Sequence, residues 1–170
     1  ILTCAATHGY LPILRENPET VKGQINTAIR NHENIFKTKP LGIWLPECAY
    51  YEGLDEILFN SGNLDILTCA ATHGYLPILR ENPETIKGQI NTAIRSHENI
   101  FETKPLGIWL PECAYYEGLD EILFNSGIRY TILDGHGILN STPRPRYGVY
   151  APICSKKGVA FFGRDSESTL

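Results

Sequence analysis

The sequence predicts an α/β protein in which short apolar strands alternate with amphipathic helices around a parallel sheet. Three observations carry this. Apolar runs of strand length stand at residues 64–70, 106–110 and 130–133, the last two closed by Pro111 and Asp134 and the first followed by a loop with Gly74 and Pro77. Between them lie segments with apolar residues every three or four positions, the alternation expected of βαβ units. The polar residues with chemistry to offer, His73, Glu112, Asp134, His136, Arg164 and Asp165, fall just past the C-terminal ends of the strands. In α/β barrels the active site is built on that face.

The elements are best followed in the second of two near-identical blocks. Residues 1–62 match residues 66–127 at an offset of 65, and only Val21/Ile86, Asn31/Ser96 and Lys37/Glu102 differ. Solenoid and propeller repeats are shorter and keep a core pattern while losing the rest. Here the surface is kept as well, and each difference is reachable by one base change. The blocks therefore read as a recent tandem duplication or as a join between two related copies, with a working two-unit repeat protein as the alternative. The second block continues into new sequence at Ile128. The expected organisation is residues 1–65 as an extra upstream copy of the repeat unit and residues 66–170 as one contiguous segment.

Within that segment, the run 64–70 suits a strand buried on both faces. Ala71-Thr72-His73-Gly74-Tyr75-Leu76-Pro77 reads as a loop. Asn82 is placed as a helix N-cap, Pro83 as the first helical residue and Glu84 as a first-turn acid. The inward stripe of this helix is Ile86, Ile90, Ala93, Ile94, His97 and Phe101, and Lys104-Pro105 is expected to end it. The strand 106–110 stops at Pro111, which lacks a backbone donor. A shorter helix is expected over 119–125, with Gly127 behind it. The strand 130–133 leads into the turn Asp134-Gly135-His136-Gly137, and a Pro/Arg-rich loop covers 141–146. Residues 149–153 and 159–162 are expected to form a hairpin around Ser155-Lys156-Lys157-Gly158.

Composition narrows the class. Hydrophobic content of 42%, charged content of 20% and a net charge of -4 are those of an ordinary globular chain. They argue against nucleic acid as a partner, because no basic cluster exceeds Lys156-Lys157. No apolar run approaches the roughly 20 residues of a membrane helix. Four of the five cysteines are two residues counted twice, Cys4/Cys69 and Cys48/Cys113, and neither a CxxC nor a CxxxH spacing is read as metal-binding. They read as reduced, buried thiols of a cytoplasmic protein. The chain opens on Ile1-Leu2-Thr3-Cys4 and contains no Met, which reads as a piece of a longer protein. Oligomeric state is left open.

The chemistry centres on Glu112, between Trp109-Leu110-Pro111 and Cys113-Ala114-Tyr115. A carboxylate in an aromatic, proline-stiffened setting can attack an anomeric carbon as the nucleophile of a retaining glycosidase; it can equally be an exposed loop glutamate. Aromatic neighbours such as Trp109 and Tyr115 suit the apolar C–H faces of sugars. His73 can bond a sugar hydroxyl or tune a carboxylate, or simply pack in its loop. His97 falls on the inner face of its helix and reads as core. Asp134 and His136 can line the same cleft. Arg164 and Asp165 can form an ion pair that holds a carboxylate in place, or a structural salt bridge. No phosphate loop, GxGxxG or HExxH is present.

Trp109-Leu110-Pro111-Glu112-Cys113-Ala114-Tyr115, Ala71-Thr72-His73-Gly74-Tyr75-Leu76-Pro77 and Phe162-Gly163-Arg164-Asp165 resemble segments of glycoside hydrolase family 57, most of all its 1,4-α-glucan branching enzymes. The resemblance covers nearly the whole chain. It implies a distorted (β/α)7 barrel, here partial and incomplete, with Glu112, and by duplication Glu47, as the nucleophile. It implies an α-glucan substrate of the glycogen or amylose kind, transfer of the cleaved segment to a 6-hydroxyl with retention, and neither cofactor nor metal. The family's aspartate acid/base belongs to a motif beyond Leu170, so this chain is expected to be inactive alone. An α-amylase or 4-α-glucanotransferase of the same family, and a non-catalytic glucan-binding module, are the alternatives.

Overall fold

The computed structural model describes residues 3–40, 42–46, 49–61 and 66–165. The chain divides into two units, Ile1–Ile66 and Leu67–Leu170. The first holds β1 (Thr3–Cys4), α1 (Pro18–Phe36), β2 (Ile43–Trp44) and α2 (Leu54–Asn60). The second holds β3 (Thr68–Cys69), α3 (Pro83–Phe101), β4 (Gly107–Trp109), α4 (Leu119–Asn125), β5 (Tyr130–Leu133), α5 (Gly135–Leu139), β6 (Ile153–Cys154) and β7 (Ala160–Gly163).

In the second unit five strands form one sheet in the order β3-β4-β5-β7-β6. The first four are parallel and β6 runs antiparallel to β7. The α/β class with parallel strands and intervening helices is therefore as expected. The sheet is open, with β3 and β6 at its edges, and no closed barrel is formed among the described residues. Register fixes the faces. Thr68, Ile108, Thr131 and Phe161 lie side by side, and so do Cys69, Trp109, Ile132 and Phe162. Residues in register on parallel strands share a face. The first set turns to the core: Ile108 and Thr131 are fully buried, Phe161 nearly so, and they pack with Leu110, Leu119, Leu123 and Ile128. The Thr131 hydroxyl, buried there, donates to the Ile108 carbonyl at 2.7 Å.

α3 begins as its sequence dictates. Asn82 Oδ1 accepts the Thr85 N–H at 3.2 Å and Pro83 leads the first turn. Ile86, Ile90, Ala93 and His97 are buried along one stripe, while Ile94 and Phe101 are half-buried at its margin. His97 belongs to the core and its ring lies 4.6 Å from that of Phe101. The helix ends at Phe101, earlier than Lys104-Pro105, because Glu102 takes the left-handed conformation (φ 55°) and closes it with its N–H on the Glu98 carbonyl. α4 occupies 119–125 as expected, and Gly127 has the positive φ (91°) foreseen behind it.

Other expectations change. The run 64–70 yields strand only at Thr68–Cys69, and residues 62–65 lie outside the described residues. The strand over 106–110 contracts to Gly107–Trp109, where β3 and β5 both reach it. Leu76–Leu79, expected as the end of a loop, is a 3-10 turn. Asp134-Gly135-His136-Gly137, expected as a turn, starts the short helix α5. The hairpin forms, but residues 149–152 are not strand, so β6 is only Ile153–Cys154. Of the described cysteines only Cys113 is buried; Cys4 and Cys69 are half-buried and Cys154 is exposed.

In the first unit β1 and β2 pair in the register of their counterparts, Thr3 with Ile43 and Cys4 with Trp44. Asn17 caps α1 through the Thr20 N–H, and Leu11, Val21, Ile25, Leu54 and Leu58 form its core.

Candidate active site

The parallel arrangement of β3, β4, β5 and β7 brings their C-terminal ends to one edge of the sheet, where His73, Glu112, Asp134 and Arg164 follow. The loop after β3 is pinned to α3. The Thr72 N–H donates to Gln89 Oε1 at 2.9 Å, and Gln89 Nε2–H donates back to Thr72 Oγ1 at 2.8 Å. His73 then turns with φ 54°, its N–H on the Ala70 carbonyl at 2.9 Å. After β4, Pro111 leads a tight turn in which Glu112 (φ 57°) and Cys113 (φ 51°) are both left-handed, with the Cys113 N–H on the Leu110 carbonyl at 2.8 Å.

Left-handed backbone costs a residue with a Cβ roughly 1–2 kcal/mol. It persists where the surroundings over-determine it, and such places are often functional. Here the burial of Cys113 on one side and the rigid Pro111 on the other hold Glu112 up into solvent. His73 Nε2 and Glu112 Oε1 are 3.8 Å apart, and the two side chains are 57% and 75% exposed. That is ion-pair reach, longer than a direct hydrogen bond, in a place a substrate hydroxyl or water can enter.

Asp134 caps the end of β5, and Arg164 crosses from the end of β7 to donate from Nη1 to Asp134 Oδ1 at 3.3 Å. Arg164 thus pairs with Asp134, a partner the sequence reading of Arg164 and Asp165 did not name. The Arg164 N–H donates to the Leu133 carbonyl at 2.8 Å, which fixes the crossing. Burial pushes the Cys113 thiol up, the Asp134 charge adds to the effect, and the Arg164 charge and its hydrogen bond oppose it. Trp109 ends β4, half-buried, on the sheet face it shares with Cys69.

The remaining candidates lie differently. His136 is exposed on α5, and Asp165 is half-buried one residue past Arg164. Tyr115, read from the sequence as a sugar contact, is half-buried. Its ring packs edge-on against Phe161 at 5.0 Å and its hydroxyl donates to Asp120 at 3.2 Å, so apolar contact and a carboxylate acceptor hold it against the core. Burial, joined by the Asp120 charge, pushes this phenol up to about 12. Glu47 lies outside the described residues.

Sequence reasoning missed Cys69, whose Sγ lies 3.3 Å from His73 Nδ1. The signal was a Cys-x-x-x-His spacing, present twice, at Cys4/His8 and Cys69/His73. Among the described residues no cluster of three His, Cys, Asp or Glu side chains is placed to hold a metal. No helix among them is long and apolar enough to cross a membrane.

With this geometry in hand, comparison with known proteins is informative. The profile of glycosyl hydrolase family 57 matches residues 1–62 and again residues 55–168, and the chain belongs to that family. A 1,4-alpha-glucan branching enzyme of Thermococcus kodakarensis is 35% identical over 106 residues, covering 54% of this chain and 16% of the relative. Among solved structures, an α-amylase of Thermotoga maritima shares 36% identity at a TM-score of 0.64, covering 82% of this chain and 25% of that one. A family 57 branching enzyme of Pyrococcus horikoshii shares 34% at a TM-score of 0.59, covering 68% and 24%. The chain thus spans a small part of the length of the relatives it matches.

Proposed function

We propose that residues 66–170 are a contiguous segment of the catalytic barrel of a retaining α-glucan enzyme, with residues 1–65 an extra upstream copy of its repeat unit. The barrel is of the distorted (β/α)7 kind, and the open sheet is an arc of it. The reaction is 1,4-α-glucan branching: cleavage of an α-1,4 link and transfer of the freed segment to a 6-hydroxyl. The observation that carries this reading is Glu112, raised by a strained turn at the C-terminal end of β4 and facing His73 at 3.8 Å.

The chemistry follows from the placement. Glu112 attacks the anomeric carbon, the glycosidic bond to the leaving oxygen breaks, and a glycosyl ester forms on the carboxylate. A 6-hydroxyl of a second glucan then displaces the carboxylate, restoring the starting configuration. His73 and the Asp134–Arg164 pair bond sugar hydroxyls, and Trp109 offers an apolar face. A retaining site needs a second carboxyl about 5–5.5 Å from the first. The family resemblance puts that aspartate in a later motif, so this segment binds glucan without turning it over.

The full-length enzyme carrying this segment tests the activity on amylose. New α-1,6 branches are the expected product, and linear products alone would reject branching. Linear products would favour the second reading, an α-amylase or 4-α-glucanotransferase, for which the broader structural match to the Thermotoga α-amylase speaks. Co-sedimentation of the 170-residue chain with glycogen tests the binding of substrate by the segment.

A further inference from the structure

The imidazole of His73 spans two groups that ask the same thing of it. Nδ1 lies 3.3 Å from Sγ of Cys69, the last residue of β3. Nε2 lies 3.8 Å from Oε1 of Glu112. A neutral imidazole carries one proton and accepts with its other nitrogen. An ionised carboxylate only accepts, so the Glu112 side favours the proton on Nε2. A thiol donates, and its sulfur is a weak acceptor, so the Cys69 side favours a bare Nδ1.

We propose that Cys69 is a positioning residue that donates its S–H to Nδ1 and so fixes His73 as the Nε2–H tautomer, with the ring's proton facing Glu112. The backbone delivers the ring to both groups at once. His73 is left-handed at φ 54°, and Thr72 is clamped to Gln89 on α3 by two hydrogen bonds of 2.8 and 2.9 Å. The arrangement is built twice, since Cys4 Sγ lies 3.4 Å from His8 Nδ1 in the first copy. Burial pushes the Cys4 thiol up, so its sulfur keeps the proton that this hydrogen bond requires. The consequence for catalysis rests on the reading of Glu112 as nucleophile: a donor held at one carboxylate oxygen leaves the other to attack. The tautomer itself does not rest on that reading.

The test is nitrogen NMR of the imidazoles in the 15N-labelled 170-residue chain, at a pH where they are neutral. His73 is expected as a single Nε2–H tautomer. Cys69→Ala is expected to give a mixture of both tautomers at His73 and leave His8 unmoved, and Cys69→Ser, which keeps a donor, is expected to restore the single form. An Nδ1–H tautomer in the unaltered chain overturns the proposal whether or not the variants fold. An unchanged His73 in a folded Cys69→Ala chain overturns it as well. Glycogen binding is read separately, so the expected tautomer in a chain that binds no glucan would retire the glucan reading and leave this one standing.

Discussion

At the scale of single residues, the duplication sets identical side chains in different surroundings. Ile108 and Leu110 are fully buried, while their twins Ile43 and Leu45 are half-buried. In the second unit β5 and β7 follow and extend the sheet beyond β4. Truncation should register the difference. Ile108→Ala is expected to cost about 2–5 kcal/mol, as for a cavity in a packed core. Ile43→Ala should cost only about 1 kcal/mol, the loss of partial apolar burial. Urea midpoints of the two variants check this, and equal losses would contradict it. The strained turn makes a second prediction. Glu112→Gly removes a largely exposed side chain and relieves the left-handed backbone, so it should stabilise the second unit by about 1 kcal/mol while abolishing glucan chemistry in the full-length enzyme. A lowered midpoint would remove the strain from the account. Tyr115 supplies a third. Its phenol is pushed from the ordinary 10 up to about 12, so above pH 10 the unfolded chain loses this proton first. The stability it contributes is complete below pH 10 and is lost as pH rises through about 12. Absorbance titration of wild type against Tyr115→Phe should show one late-ionising tyrosine disappear.

Local signals and long-range partners divide the labour at the scale of elements. The start of α3 is set by Asn82, whose side chain accepts one N–H, and Asn82→Ala should cost about 1 kcal/mol in a denaturant melt. β4 depends on close approach. A Cβ on Gly107 would run into Leu67 Cδ2 and Tyr130 Cζ, so Gly107→Ala should destabilise by about 1–3 kcal/mol through displaced neighbours. A thermal midpoint unchanged by that substitution would show that the neighbours yield freely. The same division explains what could be read in advance. The helices α3 and α4 were legible because caps and apolar stripes are written in adjacent residues. Strand lengths were not, because Leu106 and Leu110 belong to an apolar run but have no residue in register with them on β3 or β5, the Leu106 carbonyl only accepting the Arg129 and Tyr130 N–H groups where β5 begins. α5 was hidden by two glycines in five residues, a composition that ordinarily marks a turn. At the site, the candidates Glu112, His73, Asp134 and Arg164 were legible as polar residues past strand ends. The left-handed turns that set His73 against Glu112 were not, since neither residue is the Gly or Asn that advertises such backbone. The packing of Tyr115 on Phe161 was not legible either, because an aromatic near a carboxylate looks the same in sequence whatever its ring packs on.

Taken as a whole, the second unit sets four parallel strands side by side with a line of polar residues along their C-terminal edge. An open sheet with edges at β3 and β6 presents unpaired backbone groups and invites association. The account stands or falls on the residue at the end of β4. The decisive measurement is peptide mapping by mass spectrometry of the full-length enzyme, quenched during turnover of a slow fluorinated α-glucosyl substrate. Trypsin separates the two copies, because the first is cut after Lys37 where the second has Glu102. The account predicts a glycosyl adduct on Glu112, in the peptide that ends at Arg129. A trapped adduct on any other carboxylate, or turnover surviving Glu112→Gln, would contradict it.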